Sequence, residues 1–170
     1  VEDIASEIII VDSFSTDDTL KLAKEYTNRI YQRKWTNFSD QKNYANGKAS
    51  YPWILSLDAD EKLSSELKEE IKTLMSSEHE YTGFSIPRKV FYLGRWIRHS
   101  GWYPDRKIRL FRKDSAYWEG EYVHESLVIK GSIKKLKGFL YHFTYRNIHD
   151  HLDRINTFSD LAARKIYAQN

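Results

Sequence analysis

Trp53-Ile54-Leu55-Ser56-Leu57-Asp58-Ala59-Asp60-Glu61 (53–61) joins a short, mostly apolar run to three acids. The run is too short for a helix and reads as a buried strand. In an open α/β sheet, ligands bind just beyond the carboxyl ends of the strands. Acids clustered there face a ligand and repel one another unless a cation sits among them. A hard divalent metal, Mn²⁺ or Mg²⁺, meets that need, because it takes carboxylate oxygens and shares them with substrate phosphates. On an extended segment, residues i and i+2 point to the same side, so Asp58 and Asp60 can serve one ligand together. Two plainer readings compete. Acids favour helix N-termini, so the segment also fits a solvated acidic turn before a helix. A calcium loop of the EF-hand type is a third reading, but its fixed glycine and later acids are missing.

The rest of the chain bounds these readings. Its 170 residues fit one domain with a real core. Apolar residues make up 41% and charged residues 30%, a globular rather than disordered balance. A net charge of +3 is too mild to argue for nucleic acid. Aromatics reach 15%, which suggests an aromatic-rich core or stacking surfaces for sugars and bases. With no cysteine there is no disulfide or thiol chemistry, and a reducing compartment is compatible. The apolar runs 8–11 and 53–57 are far too short to span a bilayer, and no signal peptide is visible. Val1 is not Met and a strand follows almost at once, so residues are expected to be missing upstream.

Taken in order, Glu7 to Val11 is a β-branched run that reads as a buried parallel strand, ended by Asp12. Ser13 to Thr19 reads as a turn into a helix, with Ser15 and Asp18 at capping-box spacing. Leu20, Ala23 and Thr27, with Leu22 and Tyr26 beside them, give that helix an apolar side. Asn28 ends it, and Ile30-Tyr31 begins a second short strand. The β-α-β order predicts a parallel sheet. Trp35 to Asp40 reads as a polar loop, and residues 41–45 open a helix that closes around Gly47 and Pro52. Beyond Glu61, Ser64 or Ser65 caps a helix with Leu63, Leu67, Ile71 and Leu74 on one face. Its charged face reads as solvated surface.

From Thr82 the character changes. Residues 84–93 alternate like strands, and 94–105 form a loop dense in Arg and aromatics. Lys107–Arg112 reads as a strand and 116–118 as another short piece. Short strands follow at 127–129, 133–136 and 139–141, split by Gly131 and Gly138. A last helix runs from about Ile148, with Leu152, Ile155, Ala162 and Ile166 at helical spacing. His149 and His151 suggest zinc, but i and i+2 on a helix lie about 200° apart and do not share a metal.

Four stretches together resemble family 2 glycosyltransferases of the GT-A fold. They are EIIIVDSFSTDDT (7–19), QKNYA (41–45) with WILSLDADE (53–61), GRWIRHSGWYPDRKIRLFR (94–112), and VHE (123–125) followed by LKGFLYHFTY (136–145). The Arg-aromatic block and VHE point to the lipopolysaccharide-core glucosyltransferase subgroup. Family members begin with another strand and a base-binding segment that this chain lacks, so a fragment is expected. The resemblance implies an α/β class: a Rossmann-like GT-A domain with a mostly parallel sheet flanked by helices, a small antiparallel acceptor-side subsheet and a C-terminal helix. It implies one domain over 1–170, with a nucleotide-sugar half (1–80), an acceptor half (81–147) and a terminal helix (148–170). The implied activity is inverting, metal-assisted transfer of a hexose from a UDP-sugar to a cell-surface glycan or lipid-linked acceptor. The implied setting is the cytoplasm, with peripheral contact at the inner membrane. The rival is a non-catalytic carbohydrate- or nucleic-acid-binding module, or an inactive fragment of the same fold.

The resemblance also implies roles. Asp12, Ser13, Gln41, Lys42, Asn43, Asp58, Ala59 and Asp60 would line the nucleotide-sugar. Asp12 would contact uracil or ribose, Asp58 ribose or diphosphate, and Asp60 the metal with His142. Plainer alternatives are a turn Asp at position 12, an exposed Lys42 and a satisfied core His142. Glu61 would support the site or lie at the surface. Inverting transfer needs a carboxylate to take the acceptor hydroxyl's proton; Glu125 is the candidate and Asp105 its alternative. A structural acid paired to a nearby Arg is the other reading of Glu125. Arg95, Trp96, Arg98, Trp102, Tyr103 and Arg109 fit a polar acceptor, since Arg grips phosphate and aromatics stack on sugars. A surface hairpin or core strand would explain the same residues.

Overall fold

The computed structural model describes residues 1–120, 125–145 and 147–168. Val123 and His124 of the VHE stretch therefore lie outside the described residues. The chain opens with β1 (Ile10–Asp12), α1 (Thr19–Ala23) and β2 (Ile30–Gln32). β1 and β2 pair in parallel, Ile10 opposite Ile30 and Asp12 opposite Gln32, as the β-α-β order predicts. Two expectations here are corrected. The strand begins at Ile10 rather than Glu7 and is half-buried until Asp12. Helix α1 has no side-chain cap, because Ser15 turns back to Asp12 instead of forming a capping box.

Helix α2 (Phe38–Lys48) starts three residues before the expected Gln41. Asn37 is its N-cap, its side chain accepting from Asp40 N at 2.8 Å. Then come β3 (Trp53–Leu55), β4 (Glu61–Leu63) and α3 (Ser65–Met75). Ser64 caps α3, its hydroxyl accepting from Leu67 N at 3.1 Å. The chain continues through β5 (Tyr81–Tyr92), β6 (Arg95–Ile97), β7 (Asp105–Arg112), β8 (Ala116–Glu119), β9 (Ser126–Ile129), β10 (Ser132–Lys135) and β11 (Leu140–Tyr145). Helix α4 (Ile148–Ala168) closes the described chain, as its spacing predicts.

The main sheet runs β3-β7-β5-β11-β4, with β6 and β10 also paired to β5. The α/β class stands, but the expectation of a mostly parallel sheet is corrected to a mixed one. β10 and β11 run parallel to β5, whereas β6 and β7 run antiparallel to it, β3 to β7 and β4 to β11. The physical reason lies in the connections. Residues 93–104 join β5 to β7 through a hairpin that includes β6, and a hairpin delivers antiparallel pairing. Among the described residues β3 pairs only with β7, so it is half-buried and lies at an edge of this sheet.

Leu63, Leu67, Ile71, Phe84, Ile86, Leu110, Leu136 and Leu140 form the buried core between α3 and the sheet. Each such side chain contributes about 1.5–3 kcal/mol on burial. Gly138 is required here. A Cβ on it would lie 2.4 Å from Leu67 Cα, and its N–H donates to Glu70 at 2.8 Å. The turn before β11 therefore lies directly against the first turn of α3. That contact aligns β11 with β4, His142 opposite Glu61.

Candidate active site

The three acids of 58–61 sit in a tight turn rather than on an extended segment. Glu61 N donates to Asp58 O at 3.0 Å, and the Glu61 carboxylate accepts from Asp58 N at 3.2 Å. Asp58 and Asp60 consequently reach different partners. Ser56 N donates to Arg109 O at 2.8 Å, which extends the β3–β7 ladder and sets Arg109 beside the acids.

Protein cations neutralise two of the three acids. Arg109 Nη2 binds the Asp58 carboxylate and also Glu61 Oε1 at 2.7 Å. Lys42 Nζ lies 3.0 Å from Asp58 Oδ1, and Arg88 Nη1 lies 3.1 Å from Glu61 Oε1. This corrects the expectation that only a metal and a diphosphate make the cluster tolerable. It also removes Arg109 from the acceptor set, since its side chain is 4% exposed and spent on two acids. Glu61 is not a surface acid: its side chain is fully buried between Arg88 and Arg109. A signal for this was present in the sequence. Arg109 sits inside the run Ile108-Arg109-Leu110-Phe111, where a charge is accommodated only with a partner.

Asp60 is left differently. Its side chain meets His142 on β11, whose Nε2 lies 3.4 Å from Asp60 Oδ2. Phe143 N also donates to Asp60 O at 2.9 Å, which holds the turn against β11. Burial is the largest influence and raises the Asp60 carboxyl, but the His142 hydrogen bond and charge together outweigh it, leaving the group below the usual carboxylate range. The same contest at Asp58 is won by Arg109 and then Lys42. His142 Nδ1 is buried without a hydrogen-bond partner among the described residues. No group of three or more His, Asp or Glu able to hold a metal occurs among them. An ion here would draw one oxygen and one nitrogen donor from the protein. A divalent metal that keeps waters and shares substrate phosphates accepts such a set.

Of the other residues expected to line the nucleotide-sugar, Asp12 ends β1, Ser13 follows it, and Gln41 and Asn43 lie on α2. Asp12 is buried and accepts from Ser15 N at 3.1 Å and Gln32 Nε2 at 3.1 Å. Burial raises its carboxyl, but Ser15 and Gln32 together hold it below the usual range. Gln41 Nε2 donates to Ser13 Oγ at 3.0 Å, which ties α2 to the loop after β1. Asn43 is spent on the backbone of Trp118. Its amide donates to Trp118 O at 2.7 Å and accepts from Trp118 N at 2.8 Å, fastening α2 to β8. Ala59 lies within the acidic turn.

Glu125 Oε1 lies 3.1 Å from Lys42 Nζ, so one ammonium joins Glu125 to Asp58. Asp105 is instead gripped by Arg88 and by Lys107 at 3.2 Å. Burial raises its carboxyl, yet Arg88 prevails and holds it low, a poor state for a base. Trp96 is corrected. It is paired with Phe91, and its ring packs 4.8 Å from Tyr141 and 5.6 Å from Phe143. Adjacent strand residues point to opposite faces, so Trp96 and Phe143 lie on the face away from His142. Arg95 and Arg98 are exposed, and Tyr103 is half-buried. Trp102 packs 5.5 Å from Tyr92, whose hydroxyl pairs with His151 Nδ1 at 2.7 Å. A separate hollow between α3, β5 and β10, lined by Glu70, His79, Tyr81 and Lys134, contains none of the candidate residues.

The model of the family described as Glycosyl transferase family 2 matches residues 3–136. The chain belongs to this family. Among similar proteins, the lipopolysaccharide core biosynthesis glycosyltransferase LpsC of Rhizobium meliloti is 30% identical over 165 residues, covering 93% of this chain and 61% of LpsC. The uncharacterized glycosyltransferase RT0209 of Rickettsia typhi is 29% identical over 180 residues, covering 99% of this chain and 62% of that protein. The chain thus spans less than two thirds of these family 2 relatives. Among solved structures, S. aureus TarS 1–349 in complex with UDP-GlcNAc superposes with a TM-score of 0.57 at 18% identity, covering 85% of this chain and 51% of TarS. That likeness shows the fold, a GT-A-like α/β domain. Among the described residues no helix is long and apolar enough to cross a membrane.

Proposed function

We propose that this family 2 domain carries the core of an inverting, metal-assisted glycosyltransferase. It moves a hexose from a UDP-sugar to a cell-surface glycan or a lipid-linked precursor. The observation that carries the reading is the Asp60–His142 pair. The turn before β4 and the strand β11, distant in sequence, bring an oxygen and a nitrogen donor within 3.4 Å, and protein cations satisfy the neighbouring acids but leave this pair aside. TarS, which shares the fold, is described with UDP-GlcNAc, and LpsC is named for the lipopolysaccharide core. Both support the donor and acceptor classes proposed. We place the reaction in the cytoplasm, at the membrane face where lipid-linked acceptors are met.

Asp60 and His142 hold the divalent ion, Mn²⁺ or Mg²⁺, which when bound supplies positive charge for the departing diphosphate. Asp58, oriented by Arg109, contacts ribose or diphosphate. Asp12, Ser13 and Gln41 line the nucleoside. Glu125 takes the proton of the acceptor hydroxyl, while Arg95, Arg98, Trp102 and Tyr103 meet the acceptor. UDP with Mn²⁺ is expected to raise the melting temperature, and Asp60→Ala to abolish the rise. A shift produced by polyanions without metal would instead identify a basic binding module.

A further inference from the structure

Lys42 stands where the donor-side and acceptor-side carboxylates meet. Its ammonium lies 3.0 Å from Asp58 Oδ1, 3.1 Å from Glu125 Oε1 and 4.4 Å from the centre of the Trp118 ring. The two cations on Asp58 differ in kind. Arg109 is 4% exposed and also locked to Glu61, so it stays. Lys42 is a point charge on a flexible four-carbon stem, and it can turn away without leaving Asp58 unpaired. Glu125 has no such second cation among the described residues; its ion-pair partner is Lys42.

We infer that Lys42 is a positioning residue that couples donor binding to the release of Glu125. Without donor, its ammonium ties Glu125 to Asp58. A diphosphate arriving beside Asp58 brings new negative charge, and charge-assisted bonds to phosphate oxygens draw the ammonium across. Glu125 Oε1, which the Lys42 ammonium occupies without donor, is then open to accept a hydrogen bond from the acceptor hydroxyl. The acceptor hydroxyl oxygen attacks the anomeric carbon, its proton passes to Glu125, and the bond from that carbon to the diphosphate oxygen breaks. This rests on the transferase reading and adds the residue that links donor binding to Glu125.

Trp118 reports where the ammonium is. Asn43 pins the Trp118 backbone at both its N–H and its carbonyl, so the ring stays while the cation moves. The test titrates UDP with Mn²⁺ into the chain and follows tryptophan emission, with Trp118→Phe or Trp118→Tyr subtracted to isolate the Trp118 signal. The wild-type signal is expected to change on binding. In Lys42→Met the change is lost, and UDP binds about tenfold more weakly. Lys42→Arg, which keeps the charge, restores a UDP-dependent change. A wild-type chain that UDP and Mn²⁺ stabilise against heat, yet whose Trp118 emission does not move, overturns the coupling and leaves the transferase reading intact. No thermal stabilisation by UDP and Mn²⁺ overturns both.

Discussion

Arg109, at the middle of β7, reaches Asp58 beyond the end of β3 and forms an ion pair across 51 positions of sequence, its guanidinium buried and the carboxylate partly exposed. The same guanidinium holds Glu61, which also binds Arg88. Removing one member of such a buried cluster leaves charge without compensation, at a cost of about 3–5 kcal/mol. Arg109→Met is therefore expected to lower stability by that amount in urea denaturation. Arg112→Met, which loses an exposed pair with Asp114, should cost no more than about 1 kcal/mol. Equal losses at the two sites would refute the internal counter-ion role.

The acid response follows from the same contacts. Asp12, Asp58, Asp60 and Asp105 are all held below the usual carboxylate range in the fold, in each case because partners outweigh burial. A depressed folded-state value means that the unfolded chain binds protons first. The stability these groups contribute is complete above the unfolded value of about 4 and is lost as pH falls through the lower folded values. Thermal melts should be flat above about pH 5 as far as these four are concerned, and should fall below it. In Asp58→Asn the fall should be shallower, and an unchanged acid limb would count against the assignment.

His142→Ala is expected to weaken UDP binding on the order of tenfold in the presence of Mn²⁺ and to leave metal-free binding unchanged. Calorimetry with and without the metal separates the two. The variant should keep its fold, because the removed ring is half-buried and leaves the β11–β4 backbone pairing in place. A uniform loss in both conditions would make His142 a packing residue.

Two glycines give opposite expectations. Gly138→Ala drives a Cβ into the Leu67 backbone and should cost about 1–3 kcal/mol. Gly47, inside α2, has nothing within 4 Å of the same position, and Gly47→Ala should add about 0.5–1 kcal/mol. Chemical denaturation of the pair checks both signs.

Local pattern alone was enough for several parts of the molecule. The 3.6-residue period placed α3 and α4, and the Ser64-Ser65 pair marked the cap of α3, which the fold assigns to Ser64. The motifs at 7–19 and 53–61 pointed to the family that the profile match shows. These features depend on neighbours in sequence, and period and capping chemistry are written there. The counter-charges were not legible. Asp58, Glu61, Lys42, Arg88, Arg109 and Glu125 are spread over 84 positions of the chain. Which cation meets which acid depends on strand register and on the close approach of Gly138 to α3, which aligns β11 with β4. Trp96 was misplaced for the same reason: the face an aromatic occupies follows from its cross-strand partner, and composition is silent on pairing. A cluster of acids announces itself in a sequence because charge is a property of residue type. The charge that answers it is a property of distance, and only the folded chain sets distance.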